Sequence, residues 1–179
     1  MTVSRMFIVF QSKFDKNFLK KGGLKMYTAS DLAKYIIYEC SNERQNPISN
    51  LQLQKILYYI QGYFYKRFDI PAFEDKISCW TFGPVVPEVY FEYNIYGANK
   101  ITNYLDEDSD EIIKISNNRD YKKCISSVIG KCLRFSPSQL VEKTHSETPW
   151  KKAEASKTIS ESNIRNYFLR NDPLGLENK

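Results

Sequence analysis

Histidine is almost absent from this chain of 179 residues, which contains one, and its four cysteines show no C-x-x-C spacing. A mixed cysteine and histidine zinc site therefore has no second histidine to use. The sequence also contains no G-x-x-x-x-G-K-[ST], no G-x-G-x-x-G and no G-x-S-x-G. These absences exclude the common phosphate-binding loops and the nucleophile elbow of hydrolases. We therefore expect neither a cofactor nor a metal.

Acidic residues between positions 98 and 118 imitate a calcium loop but lack its essential members. Asp106, Asp108 and Asp110 have the spacing of its first three ligands. The sixth position is Glu111 where that loop needs glycine, and the twelfth is Asn117 where it needs a bidentate glutamate. We therefore predict a solvated loop around a brief apolar EIIKI.

Long apolar runs are missing, so no segment is predicted to span a membrane. The spacing of the four cysteines gives no sign of disulfide pairs, which favours a reducing compartment. We therefore expect a cytoplasmic protein with no disulfide. Cys124 and Cys132 lie eight positions apart on one predicted helical face, which indicates two buried thiols.

The net charge of +5 is confined to the first 25 residues, which carry six basic residues and one acidic residue. The remaining chain has 20 basic and 20 acidic residues, so it offers no phosphate-tracking stripe and we expect no strong direct binding of nucleic acid. We expect residues 1–25 to be an upstream extension, either from a mis-assigned start or as a disordered tail.

The stretch from Leu51 to Tyr90 organises the rest of the chain. Its first half has apolar residues at helical spacing, and this stripe is predicted to face the core. The stripe consists of Leu53, Ile56, Leu57, Ile60 and Phe64. Gly62 interrupts the helix at a cost of about 1 kcal/mol, which indicates a close approach by another backbone. Gln54, Lys55, Tyr58, Gln61 and Tyr65 lie off the stripe.

The second half of that stretch displays large apolar side chains on a backbone that Pro84 and Pro87 stiffen. Such a turn is either a part of the core or a docking surface with exposed anchors, and different residues can have different roles. If it docks a partner, Val86→Asp is expected to abolish binding without unfolding the protein.

The periodicity elsewhere predicts a mainly α fold, a compact single-domain bundle of about six helices with a short extended or β segment near residues 76–82. The predicted helices begin at Thr28 or Ser30, at Ser49 or Asn50, at Pro87, at Asp120, at Pro137 and after Ser160.

His145 and Glu147 are the best candidates for a base and its orienting carboxylate. They lie at a predicted helix end beside Trp150, where a histidine commonly stacks on an aromatic ring or binds a backbone carbonyl. A hydrolase or transferase that uses this pair stays open beside a structural role.

Two separated blocks carry a family resemblance. LQLQKILYYIQGYFYKRFDIPAFEDKISCWTFGPVVPEVYFEY and LVEKTHSETPWKKA resemble the signature of the Panacea (SocA-like) antitoxin domain, a phage-associated family, over about residues 28–169. Cys79 replaces the usual alanine and Phe82 replaces the common tyrosine. The resemblance assigns residues 26–179 to this domain.

The resemblance implies a non-enzymatic antitoxin of a bacterial or prophage toxin–antitoxin pair, which neutralises a toxin by direct protein binding. It also implies an alternative, a proteolytic adaptor that delivers the bound toxin to a ClpXP-type protease. The implied partner-binding residues are those of the signature with their neighbours: Trp80, Phe82, Gly83, Pro84, Val85, Val86, Pro87, Glu88, Tyr90, Gln54, Lys55, Tyr58, Gln61, His145, Glu147 and Trp150.

Overall fold

The computed structural model describes residues 27–102, 107–155 and 157–177, and the predicted extension at residues 1–25 lies outside them. The described part is mainly helical, as the sequence predicts. Its α-helices are α1 (Ala29–Tyr38), α2 (Asn50–Phe68), α3 (Pro87–Glu92), α4 (Asp110–Ser116), α5 (Arg119–Cys132), α6 (Pro137–Ser146), α7 (Thr148–Lys151) and α8 (Glu161–Arg170). A π-helical turn, Glu39–Glu43, continues α1, and a 3₁₀ turn, Asn94–Tyr96, follows α3.

Helix α2 is the centre of the molecule, and α1, α5, α6 and α8 all contact it. Ser49 caps its first turn, and its side chain accepts a hydrogen bond from the Gln52 N–H. The predicted core stripe is confirmed, because all five of its side chains are buried. The off-stripe residues are buried as well, so α2 does not have the polar outer face that a two-sided helix would show.

Helix α8 packs on α2 at Gly62. A Cβ atom added to this glycine would lie 2.3 Å from two ring atoms of Phe168. The prediction of a close approach is therefore confirmed, but the approaching group is an aromatic ring and not a backbone.

Strands β1 (Ser78–Trp80) and β2 (Gly83–Val85) form an antiparallel hairpin in which Trp80 pairs with Gly83. The predicted extended segment near 76–82 contains β1, whereas β2 lies beyond it and is not predicted by the sequence. The outer edge of β1 is paired too, because Cys79 N–H donates to the Lys157 carbonyl at 2.8 Å and Ile159 N–H donates to the Ile77 carbonyl at 2.7 Å.

The predicted loop between residues 98 and 118 is wrong where it concerns the EIIKI segment. This segment lies in α4, which buries Ile112 and Ile115. One turn of apolar spacing is too short to reveal a helix from sequence, and packing against α1 stabilises it. Asp106 lies outside the described residues.

Helix α5 contributes a second core face, and both predicted thiols on it are buried. All four cysteines are free and buried. Within the described residues, no group of three or more His, Cys, Asp and Glu side chains is placed to hold a metal ion. No helix of the described part combines the length and the apolar character needed to cross a membrane.

Candidate partner-binding surface

Two buried polar residues of α2 bind the backbone of strand β2 and of the residue that follows it. Gln54 Oε1 accepts a hydrogen bond from Val86 N–H at 2.9 Å, and Lys55 Nζ donates to the Pro84 carbonyl at 3.1 Å. Lys55 is fully buried, and burial lowers the pKa of its ammonium to about 7. These contacts hold the turn against α2, because an unpaired buried backbone group is costly.

Gly83 allows the hairpin to lie directly against this lysine. Its φ of +101° is unfavourable for residues with a side chain. A Cβ atom there would also lie 2.8 Å from Lys55 Cε and 2.8 Å from Thr144 Oγ1. Any larger residue would therefore push the hairpin away from α2 and α6.

Gln61 also binds backbone groups through its side chain, in the loop that precedes β1. Its Oε1 accepts hydrogen bonds from Ala72 N–H at 2.8 Å and Phe73 N–H at 3.2 Å, and its Nε2 donates to the Phe73 carbonyl at 3.0 Å. One side chain thus satisfies three backbone groups in the loop that leads to β1.

Gln61→Leu keeps the volume of this side chain and removes those bonds. We expect the free energy of unfolding to fall by about 2–4 kcal/mol, since buried N–H groups lose their acceptor. Urea denaturation followed by circular dichroism measures the loss. Gln139→Leu, an exposed glutamine whose bonds are confined to the first turn of α6, is the control and should cost about 1 kcal/mol or less. Equal losses in the two variants would contradict this account of Gln61.

Glu147 is the buried acid at the junction of α6 and α7. Its two carboxylate oxygens accept hydrogen bonds from Tyr58 and Tyr59, each at 2.8 Å. Burial raises the pKa of Glu147 to about 7, and these two hydrogen bonds oppose the rise. The carboxylate therefore ties the α6–α7 junction to the centre of α2.

His145 stacks on Trp150, with ring centroids 3.9 Å apart. Burial lowers the pKa of His145, and the positive charge of Lys55 adds to the shift. Trp150 in turn donates a hydrogen bond from Nε1 to the Trp80 carbonyl at 3.3 Å. Among the hydrogen bonds of the described residues none joins His145 to Glu147, whose oxygens are taken by tyrosines, so the predicted pairing of base and orienting carboxylate is not formed.

An open groove of about 520 Å³ lies beside the hairpin, and its lining is uncharged. Phe82 stands at its rim with 65% of its surface exposed, and Trp80 and Tyr90 contact each other edge to face beside it, with ring centroids 4.9 Å apart. The lining consists of Asn50, Leu51, Gln54, Trp80, Thr81, Phe82, Val85, Tyr90, Gly97 and Ala98. We call this cavity the aromatic groove.

The exposed apolar surface continues from the groove onto α3 and the 3₁₀ turn. Phe91 is 61% exposed and Ile95 is 85% exposed. The Phe91 ring lies 6.1 Å from the Trp80 ring, between centroids, so it adjoins the groove. Neither residue is among those that the sequence predicts to bind a partner. Val89 and Tyr93 already supply the buried face of this segment. Two further apolar residues beyond that face are the sequence feature that could have indicated an exposed binding surface.

The structure divides the predicted partner-binding residues into three groups. Phe82 and Glu88 are exposed, and Trp80, Pro87, Tyr90, His145 and Trp150 are half-buried. The buried group consists of Gly83, Pro84, Val85, Val86, Gln54, Lys55, Tyr58, Gln61 and Glu147. Because Val86 is buried, Val86→Asp would place a charge in the core, and the expectation that folding survives it is wrong.

The family comparison covers most of this arrangement. A family model described as "Antitoxin SocA-like, Panacea domain" matches residues 53–151. The chain belongs to this family. The matched residues include the hairpin, the buried acid and most of the groove lining, so the resemblance expected from the two sequence blocks is confirmed.

A curated relative in the same family is Antitoxin SocA of Caulobacter vibrioides (strain NA1000 / CB15N). It is 34% identical over 110 residues, which are 58% of this chain and 58% of that protein. The chain thus matches little more than half the length of this relative. No solved structure matches the chain.

Proposed function

We propose that this protein is the antitoxin of a bacterial toxin–antitoxin pair and that it neutralises its toxin by direct protein contact at the aromatic groove. The observation that carries the proposal is an exposed phenylalanine beside half-buried Trp80 and Tyr90, on a hairpin that buried side chains hold in place. Rigid aromatic anchors around a concave apolar surface are typical of binding hot spots.

Membership of the SocA-like family supports the antitoxin role and points to a regulator without catalytic activity. The exposed members of the groove contact the toxin, whereas Gln54, Lys55 and Gln61 keep the turn rigid. Rigidity matters for affinity because a preordered surface loses less conformational entropy on binding.

The first test concerns the gene next to this one. Expression of that gene alone should stop growth, and co-expression of the present chain should restore it. If loss of this protein remains harmful after the neighbouring gene is deleted, the proposal fails. Toxin levels measured with and without a ClpXP-type protease then distinguish sequestration from delivery to the protease, because only delivery makes the toxin accumulate when the protease is removed.

Phe82→Asp tests the surface itself. We expect the affinity for the neighbouring gene's product to fall by about thirtyfold or more, since an anchor in a hot spot contributes at least about 2 kcal/mol. Isothermal titration calorimetry measures the affinity, and the growth assay should show lost protection.

The matched control is Leu169→Asp, which introduces the same charge at another exposed apolar residue, on α8. Both variants should keep the wild-type unfolding transition. Unchanged affinity in Phe82→Asp would show that the groove does not bind the toxin.

A further inference from the structure

Two parallel rows of side chains run along the exposed side of α3 and the turn that follows it. Glu88 and Glu92 are exposed and lie four positions apart, and Phe91 and Ile95 repeat the same spacing. Residues three and four apart are neighbours on a helix surface, so within α3 Glu88 lies beside both Phe91 and Glu92, and Ile95 follows in the 3₁₀ turn. Glu92 accepts a hydrogen bond from Ser30 Oγ at 2.8 Å, which holds its carboxylate at the edge of the patch.

A partner strand cannot extend the nearby hairpin, because both of its edges are occupied. The segment 157–159 pairs with the outer edge of β1. On the outer edge of β2, the Pro84 carbonyl accepts from Lys55 and Val86 N–H donates to Gln54, and proline has no N–H to offer. Recognition by strand addition needs free backbone groups, so the partner must bind through side chains.

A second copy of this chain does not fit the patch. Two-fold pairing brings the same surface of both subunits together, and pairing centred on this patch would bring the acidic rows of the two copies close to each other. Like charges that meet in an interface oppose its formation strongly. A partner with basic residues would instead be attracted by the same two carboxylates.

Resting on the proposed function, we infer that the toxin presents an amphipathic helix whose apolar face packs on Phe91 and Ile95 and whose basic flank faces Glu88 and Glu92. Side chains three and four positions apart form ridges on a helix that pack into the grooves of a second helix, and Phe91 with Glu88 and Glu92 gives α3 such a surface. The apolar anchors continue towards the aromatic groove through the contact between Phe91 and Trp80.

The test measures binding of the purified product of the neighbouring gene to the full-length chain. The double variant Glu88→Lys/Glu92→Lys should weaken binding by about tenfold or more, and the wild-type affinity should fall with added salt while the variant's does not. Glu142→Lys/Glu161→Lys makes the same change of net charge on exposed residues of α6 and α8 and should leave affinity unchanged.

A photoactivatable phenylalanine analogue at position 95 identifies what lies on the patch. An adduct on a helical segment of the neighbouring gene's product supports the inference, and Lys→Glu or Arg→Glu changes in that segment should restore binding to the double variant. An adduct on a second copy, or on residues 1–26 of the same chain, overturns it. If the wild-type chain binds normally but charge reversal has no effect, the helix inference alone fails; if the wild-type chain does not bind at all, the proposed function fails with it.

Discussion

Gly62→Ala should destabilise the protein by about 1–3 kcal/mol, although alanine favours a helix over glycine by about 1 kcal/mol. The reason is steric. The new methyl group would lie 2.3 Å from the ring of Phe168, which is fully buried and cannot move without disturbing its neighbours. That ring is in edge contact with Tyr58, Tyr59, Tyr63 and Tyr167, so a shift spreads through the cluster.

Gly130→Ala is the matched control, because it makes the same change inside another helix, α5. The nearest atom there is Nη1 of Arg44 at 3.3 Å, so the guanidinium has to move by only a few tenths of an ångström, although Glu39 and the Ser126 carbonyl hold it. We expect the stability of this variant to lie within about 1 kcal/mol of the wild type, because the better helix propensity of alanine offsets this small shift. Chemical denaturation of both variants gives the comparison.

A double-mutant cycle separates the steric clash from other effects. Phe168→Leu alone leaves a cavity, and Gly62→Ala alone overfills the site. The double variant should therefore be more stable than the sum of the two single losses predicts. Strict additivity would show that the ring and the glycine do not meet in the folded protein.

Replacing Glu147 by glutamine should change how stability depends on pH. The pKa of this carboxyl is about 7 in the folded protein against an ordinary value of 4.5, because burial disfavours its charged form. Between these values the folded state holds a proton that the unfolded chain has lost. The stabilising contribution of Glu147 is therefore fully present below pH 4.5 and is lost as the pH rises through 7.

The expected size of this loss is on the order of 3 kcal/mol, from the separation of the two pKa values. The measured quantity is the wild-type free energy of unfolding minus that of Glu147→Gln, at intervals from about pH 4.5 to about pH 8. The subtraction removes the titration of all other groups. The amide introduced by Glu147→Gln retains an acceptor and a donor for the hydroxyl groups of Tyr58 and Tyr59, so the variant folds without the charge.

Glu142→Gln is the control for that series, since Glu142 is exposed on α6. Its difference from the wild type should stay flat across the same pH range. A flat difference for Glu147→Gln as well would mean that water reaches the carboxylate and that the junction of α6 and α7 is looser than the structure shows.

The starts of α1, α2 and α6 could be predicted from sequence because their causes are local. Thr28 with Asp31, Ser49 with Gln52 and Ser136 with Gln139 all form capping boxes, and each box joins residues three positions apart. The core stripe of α2 and the buried face of α5 follow from helical spacing in the same way. Such interactions are complete within one turn or one helix face.

Other features depend on segments that are distant in the chain. The hydroxyl groups of Tyr58 and Tyr59 have their acceptor in Glu147, 89 and 88 positions later in the chain. Strand β2 and the residue after it are held by Lys55 and Gln54 of α2. No local pattern contains these partners. The same limit explains why the sequence predicts a loop where α4 forms.

The family and the core stripe were therefore determined by the sequence itself, through motifs and periodicity that need no neighbour. The division of the signature into buried residues that hold the turn and exposed residues that can meet a partner was decided by the tertiary structure. The tertiary structure also decided the exposure of Phe91 and Ile95, because the other described residues pack against the opposite face of α3 and of the turn after it.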